Sequence, residues 1–368
     1  MFVYLVIIAT LFLLAIDQRL VVTRGYEIKT LKKTITFKRL FLILLPMIFA
    51  FGMRSAGFGD TIGYYVGFEN LTTQFSLENL SEKAPLYSVL ERFCKAYLFK
   101  APELWMLTIE LLALVPMISC LSKYSINIGL SIFVFFASTE FVFLLNGARQ
   151  FIAVCIMFYA FRFIVEKKPI KYYICLLIAV QIHLTVIVML PAYFFARLKS
   201  WKKPMLFLLV VLAIASFFSQ GLFSAADEML VQNSVYSHYT SEAFALEGVN
   251  HLRVLIHFIP VFLAFYFRKE TDYNDMTLNA CVNLSALNAI IFLFASTMGG
   301  NLAARFAEYY TIYNLILYPY IFEKILPPKS KKTIKLVFVF AFVLFFYYQI
   351  HIVFGGGGYE SKFLGINC

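Results

Sequence analysis

Apolar residues in this chain do not alternate with polar ones; they run together. Eleven segments are apolar on every side: 1–16, 38–53, 104–121, 126–145, 148–165, 170–196, 204–220, 252–267, 278–297, 302–323 and 333–354. A membrane barrel strand alternates in polarity over about ten residues, and a helix on a soluble core keeps one polar face. These runs do neither. Their length, close to 20 residues or fewer where flanking Lys and Arg reach back to the interface, is that of membrane-crossing helices. The pattern predicts an all-α polytopic membrane protein of about 10–12 transmembrane helices, forming a single integral membrane domain over residues 1–368.

Composition agrees: 14% of the residues are charged and 61% hydrophobic, against about 25% charged in soluble domains. The first run lacks a basic leader and a small-residue cleavage site and ends at Asp17, so it reads as a retained span. The net charge of +11 adds sidedness. Arg19, Arg24, Lys29, Lys32, Lys33, Lys38 and Arg39 crowd the first loop, which the positive-inside rule makes cytoplasmic. Alternation then sets 54–103 outside, Lys123 inside, the Asn146-Gly147 turn outside and the Glu166-Lys167-Lys168 loop inside. Segment 170–196 breaks the alternation, because Lys171 lies at one end and Arg197, Lys199, Lys202 and Lys203 at the other. A chain that turns back near Gln181-Ile182-His183 keeps both clusters inside, so a broken or re-entrant pair of half-helices is expected over 170–196. The second outward loop is then 221–250. Six cysteines show no CxxC or Cys/His ligand spacing, and only Cys94 and Cys368 are placed to meet an oxidising compartment.

Outward chemistry centres on arginines beside span ends. In "LLNGARQF", Asn146 and Gly147 end one span and start the next, leaving Arg149 in the first turn of a helix. Helix N-termini and guanidinium forks both favour anions, so a phosphate site is expected. "MGGNLAARFAEYY" repeats the device with Gly299-Gly300-Asn301 and Arg305, and Arg54 opens the glycine-relieved stretch "MRSAGFGDTIGYYVGFEN". The alternative for each is a side chain reaching to lipid headgroups. Asp60 shares a helical face with Tyr64 and Phe68 if 60–68 is helical, and is either a counter-ion or a base taking a proton from a sugar hydroxyl. Glu308 is placed as the i,i+3 partner of Arg305, or to orient a hydroxyl. Tyr64, Tyr65, Tyr309 and Tyr310 suit an interfacial belt or contacts to substrate. His183 sits at the expected break, with Gln181 or Glu140 as candidate partners, and a hydrogen-bonded structural role is the alternative. The "GGGG" at 355–358 reads as a tether. Outward segments hold no DxD, HExxH or GxSxG pattern, so neither a metal site nor hydrolase chemistry is expected; Asp227-Glu228 is the one outward acidic pair.

The succession of Arg54, Gly59-Asp60 and Tyr64, then "GARQFIAVCIMFYAFRFIVEKKPIKYY", "IHLTVIVMLPAYFF" and "RFAEYY", resembles the EpsG family of bacterial exopolysaccharide proteins and the related Wzy-type O-antigen polymerases. The resemblance runs from about residue 1 to the C-terminus. It implies a metal-independent membrane glycosyltransferase of GT-C-like architecture, multi-pass in the bacterial cytoplasmic (inner) membrane, with its site facing the periplasm or exterior. Such an enzyme moves a growing glycan from polyprenyl (undecaprenyl) diphosphate to the non-reducing-end sugar of a lipid-linked repeat unit, for O-antigen lipopolysaccharide or exopolysaccharide. Arg54, Arg149 and Arg305 then hold the diphosphate; Asp60 is the base, with His183 and Glu308 as further catalytic candidates; and Tyr64, Tyr65, Gln150 and Tyr309 contact substrate. No cofactor and no nucleic acid are implied; the partners are lipid-linked donor and acceptor, with a chain-length regulator beside them. Two rivals remain: a flippase or transporter of the same lipid-linked sugars, and an O-antigen ligase-like transferase. Transporters tend to carry repeats and paired broken helices, whereas here one break and no repeat are visible.

Overall fold

The computed structural model describes residues 36–57, 59–77, 84–218, 250–270, 274–298, 301–353 and 360–361. Helices make up nearly all of them. In chain order they are α1 (Phe37–Gly52), α2 (Thr61–Glu69), α3 (Pro85–Phe93), α4 (Pro102–Tyr124), α5 (Ile128–Ala137), α6 (Glu140–Asn146), α7 (Ala148–Val165), α8 (Pro169–Val180), α9 (Ala192–Ala196), α10 (Lys203–Phe218), α11 (His251–Tyr266), α12 (Met276–Met298), α13 (Asn301–Thr311), α14 (Asn314–Tyr320) and α15 (Pro328–Tyr348). Wide π turns follow α3, α14 and α15. The protein is an all-α polytopic membrane protein. Among the described residues α4, α7, α12 and α15 are long and apolar enough to cross a membrane, and α5 with α6 forms a bent pair that is so only when the two are taken together; α8, α10 and α11 are shorter apolar helices. At 1.5 Å per residue α4 is about 35 Å long, more than the hydrocarbon thickness. The expected first span, Asp227-Glu228, the glycine tether and Cys368 lie outside the described residues.

Two expected spans are not continuous helices. Over 126–145 the axis bends by 61° between α5 and α6. The bend sits at Thr139, whose φ of 67° lies in the left-handed region that β-branched residues rarely adopt. Every residue of α5 is buried, so its all-round apolar character meets protein on all sides. Over 302–323 the chain forms α13, a break at Ile312-Tyr313, α14 and then a π turn.

The described residues gather into two compact units. The first comprises residues up to Leu190 and from Tyr318 on. Its long helix α4 packs against α1 and α7, and Phe51 stacks on Phe141 at 5.8 Å and Phe141 on Phe346 at 6.1 Å. One end of this unit collects basic residues: Lys123 and Lys168 bridge Glu166 at 2.6 and 2.8 Å, and these hydrogen bonds drop the Glu166 carboxyl to about 2. Nearby in sequence, Asn127 caps α5 by accepting from Leu130 N at 3.0 Å and donates to Glu323 at 2.9 Å.

The expected turn-back is present in this unit. After α8 the chain turns at Gln181–His183 and returns as a 3-10 stretch, Leu184–Met189. The Tyr172 hydroxyl donates to Met189 O at 2.7 Å and the Tyr173 hydroxyl to Leu190 O at 3.2 Å. Residues so far apart in sequence lie side by side only if the chain reverses between them.

The second unit runs from Pro191 to Leu317 around α12, which packs on α9, α10, α11 and α13. Asn279, Asn283, Ser285 and Asn288 of α12 are all buried, and each has a bonded task. Asn283 Nδ2 donates to Phe195 O, Ala196 O and Leu198 O at 3.1, 3.3 and 2.7 Å, satisfying carbonyls that the short helix α9 leaves open. Asn279 Oδ1 accepts from Ser200 N at 2.9 Å. Interhelical amide bonds of this kind hold apolar helices together where the hydrophobic effect between them is absent.

Candidate functional site

At the other end of the first unit α1, α2, α4, α6 and α7 converge, and one arginine ties the first four. Arg54 follows α1 directly and has no exposed surface. Its Nη1 meets Glu110 Oε1 of α4 at 2.6 Å and Phe51 O at 2.6 Å; Nε donates to Thr61 Oγ1 of α2 at 2.9 Å and Nη2 to Leu145 O of α6 at 3.3 Å. The expectation of Arg54 as an open diphosphate ligand thus meets a guanidinium committed to protein groups. Its place is under the site, holding the ends of four helices in register.

Above it the backbone is close-set. Asp60 N donates to Asn146 Oδ1 at 3.3 Å. Gly59 adopts φ +51°, and a Cβ there would stand 1.6 Å from Asn146 Oδ1, so only glycine fits. Asp60 itself is exposed at the N-terminus of α2; the helix spans Thr61–Glu69, one residue later than the expected 60–68, with Asp60 just outside it. Tyr65 donates to Arg54 O at 2.8 Å. Tyr64 Oη accepts from Arg149 N at 3.4 Å, occupying one of the free amides at the start of α7. The side chain of Arg149 is exposed, in the first turn as expected, and its guanidinium lies 5.6 Å from the Tyr87 ring. Gln150, the next residue, is buried and turns away from that surface.

Tyr87 and Glu91 sit four residues apart on α3 and so share a face. Trp105 of α4 meets Tyr87 edge-on at 5.4 Å and stacks on Phe68 of α2 at 5.7 Å. Glu91 is half-buried, and burial raises its carboxyl to about 7 against the opposing pull of Arg149, the Trp105 indole N–H and Arg92. The Tyr87 phenol is pushed well up, by burial and then by the charges of Glu91 and Tyr64. Both the Tyr87 hydroxyl and Trp105 Nε1 are buried without a hydrogen bond of good geometry among the described residues. An exposed cation at a helix start, an inward hydroxyl with capacity to spare and a carboxylate near its midpoint at neutral pH are thus in one place. α3 is moored by Leu86 N donating to Gln181 O at 3.0 Å, which brings the turn-back to this end of the unit. His183 is half-buried and bonds Thr185 Oγ1 at 2.8 Å, a partner other than the Gln181 or Glu140 that the sequence offered.

Sequence reasoning passed over Tyr87 and Glu91 because 54–103 reads as a loop, and Trp105 because it reads as one more apolar residue of the 104–121 span. The signal was present in "PLYSVLERF": a proline at a helix start followed by Tyr and Glu at i and i+4.

In the second unit Arg305 is exposed on α13. Glu308 is buried and receives Arg253 Nη2 of α11 at 2.7 Å, a cross-helix partner that the i,i+3 reading with Arg305 did not foresee. One turn along, Asn288 Nδ2 donates to His257 Nδ1 at 3.0 Å, and Thr311 Oγ1 donates to Asn288 Oδ1 at 2.9 Å. Tyr309 is fully buried, a packing position. Among the described residues no three His, Cys, Asp or Glu are grouped to hold a metal ion.

The family model described as EpsG family matches residues 38–360, a stretch that includes every site residue named above. No curated protein and no solved structure matches the chain.

Proposed function

The chain belongs to the EpsG family, a Wzy-like polymerase family, and from that premise we propose that it polymerises lipid-linked oligosaccharide repeat units into an exopolysaccharide or O-antigen glycan. In this reading an acceptor sugar hydroxyl attacks the anomeric carbon of the donor, and polyprenyl diphosphate departs. The leaving group is already activated, so the protein's tasks are to meet its charge and to take up one proton. Arg149 meets the charge: it is exposed at the N-terminus of α7, where the guanidinium and the helix's positive end act together. That observation carries the proposal. No metal is needed in this scheme, because fixed cations do that work. Tyr64 and Tyr87 flank the arginine as sugar-facing rings, and Arg305 is the candidate anion ligand of the second unit. The site faces the periplasm or exterior of the cytoplasmic membrane in this reading, supported by the basic residues Lys123, Lys167, Lys168 and Lys171 collected toward the opposite end of the first unit.

The test is made in cells lacking the gene, complemented with variants. Loss of a polymerase leaves single repeat units on the surface, loss of a transporter leaves none, and loss of a ligase leaves unattached polymer. Arg149→Ala is expected to lower the polymerisation rate about 10²–10³-fold, the usual cost of removing one charge-stabilising donor. Arg149→Lys restores part of it, as a point charge without the fork. A normal ladder from Arg149→Ala in normally inserted protein overturns the proposal.

A further inference from the structure

Resting on that reading, we propose that Glu91 of α3 is the catalytic base that takes the proton from the attacking sugar hydroxyl. Asp60, the candidate from the sequence, stands exposed at the start of α2, where a carboxylate complements the helix end. Glu91 is differently placed. It is half-buried beside the exposed Arg149, one turn from Tyr87, on a helix fixed by the Leu86–Gln181 bond and by Arg92 Nη1 donating to Ser76 O at 3.0 Å. A base held by its own helix between an anion-binding cation and the Tyr87 hydroxyl, which makes no hydrogen bond of good geometry among the described residues, has polar partners for a sugar around it. Its carboxyl at about 7 is matched to a proton acceptor working at neutral pH, which must be ionised before the step and basic enough to drive it.

The step balances as follows. The acceptor oxygen forms a bond to the anomeric carbon while the bond from that carbon to the diphosphate oxygen breaks. The hydroxyl proton passes to the Glu91 carboxylate, and the bonding pair leaves with the lipid diphosphate beside Arg149. Water then removes the proton from Glu91. The titratable and charged groups bearing on Glu91 are Arg149 from α7, Arg92, Tyr87 and Cys94 from its own stretch, and Tyr64 of α2 through Tyr87.

The test uses the full-length protein in vesicles of bacterial lipid, supplied with lipid-linked repeat units extracted from the gene-deleted cells, between pH 5.5 and 8.5. The wild-type rate is expected to rise with pH about a midpoint near 7. Glu91→Gln is expected to lower kcat about 10²–10⁴-fold and to abolish that rise, with donor KM little changed. Glu91→Asp keeps a residual rate with the rise displaced, which separates loss of the base from loss of fold. Arg149→Ala, whose cation favours the carboxylate, should move the rise in its residual rate to higher pH. A Glu91→Gln variant that keeps half the rate, or keeps the pH rise, overturns the assignment. If that happens while Arg149→Ala still abolishes polymer, the polymerase reading stands and Glu91 falls alone; if both variants polymerise normally, both fall.

Discussion

The buried pair Arg54–Glu110 gives the sharpest expectation, because its two halves are chemically unequal. Neither side chain has exposed surface, and they meet at 2.6 Å. A guanidinium stays charged at any working pH, whereas a carboxyl left alone can neutralise itself by taking up a proton. Glu110→Leu strands a buried cation, at a cost of about 3–5 kcal/mol. Arg54→Met leaves the carboxyl, the Thr61 hydroxyl and two carbonyls short of a donor, at about 1 kcal/mol per lost hydrogen bond and so about 4 kcal/mol together, once the carboxyl takes up a proton. The double variant removes both charges and should be more stable than Glu110→Leu alone, since apolar replacements of buried pairs are often near neutral. Thermal unfolding of detergent-solubilised protein at one fixed scan rate reads the order. With roughly 2–4 °C per kcal/mol for a unit of this size, Glu110→Leu lowers the midpoint by roughly 6–20 °C and Arg54→Met by roughly 8–16 °C. If the double variant falls below Glu110→Leu, the reasoning from charge burial is wrong.

Four further outcomes follow from single contacts. Gly59→Ala forces a side chain onto Asn146 at a positive φ, so it should cost about 1–2 kcal/mol and shorten the glycan ladder; Gly63→Ala, where a Cβ meets no atom within 4 Å, should instead raise the melting midpoint by the helix gain of about 0.5–1 kcal/mol. Asn127→Ala removes a cap and a bond to Glu323, and about 1.5–3 kcal/mol with them, measured by the same melts. Ser361 Oγ donates to Met53 O at 2.5 Å and Ser55 N to Glu360 O at 2.8 Å, so the residues after the glycine run are docked beside Arg54; Ser361→Ala should lower stability by about 1 kcal/mol. Burial lifts the Glu91 carboxyl from its ordinary 4.5 to about 7 in the fold, so its stability contribution is whole below about pH 4.5 and is lost as pH rises to about 7. Above pH 7 Glu91→Gln should therefore melt higher than wild type, by on the order of 2 kcal/mol, and the two should converge at pH 4.5; a variant that melts lower at every pH contradicts this.

How much of this the sequence shows depends on which forces leave a linear trace. A bilayer obliges every backbone amide to be satisfied within the chain, so the spans stand out as runs, and the balance of Lys171 against Arg197 to Lys203 sufficed to place the turn at Gln181–His183. The bend at Thr139 left no such trace, since a β-branched residue is the last expected in a left-handed conformation; tertiary packing imposes it. Glu110 was legible in principle: an acid inside an apolar run needs a named partner, and asking for one would have withdrawn Arg54 from the ligand set. Glu91 was not legible as a base, because its basicity comes from burial, and burial follows from the packing of α3 on α4, as at the Tyr87–Trp105 contact, across a stretch without periodic pattern.

These two carboxylates show how one end of the first unit divides its charges. Glu110 is paired to an arginine that has given all its directions to protein, and the pair fixes Thr61 and Leu145, the residues that start α2 and end α6. Because Asn146 and Gly147 follow Leu145, the same fixing sets the start of α7 and with it the amide of Arg149 that reaches Tyr64. Glu91 instead shares its arginine with solvent, so its charge is only partly compensated and its proton is easily exchanged. A rigid, fully paired arginine beneath an exposed one is the arrangement a charge-stabilising site requires, since a donor aims without reorganisation only if its own support does not move. On this argument variants of Arg54 should impair polymerisation through kcat, by letting Arg149 drift, even though Arg54 touches no ligand.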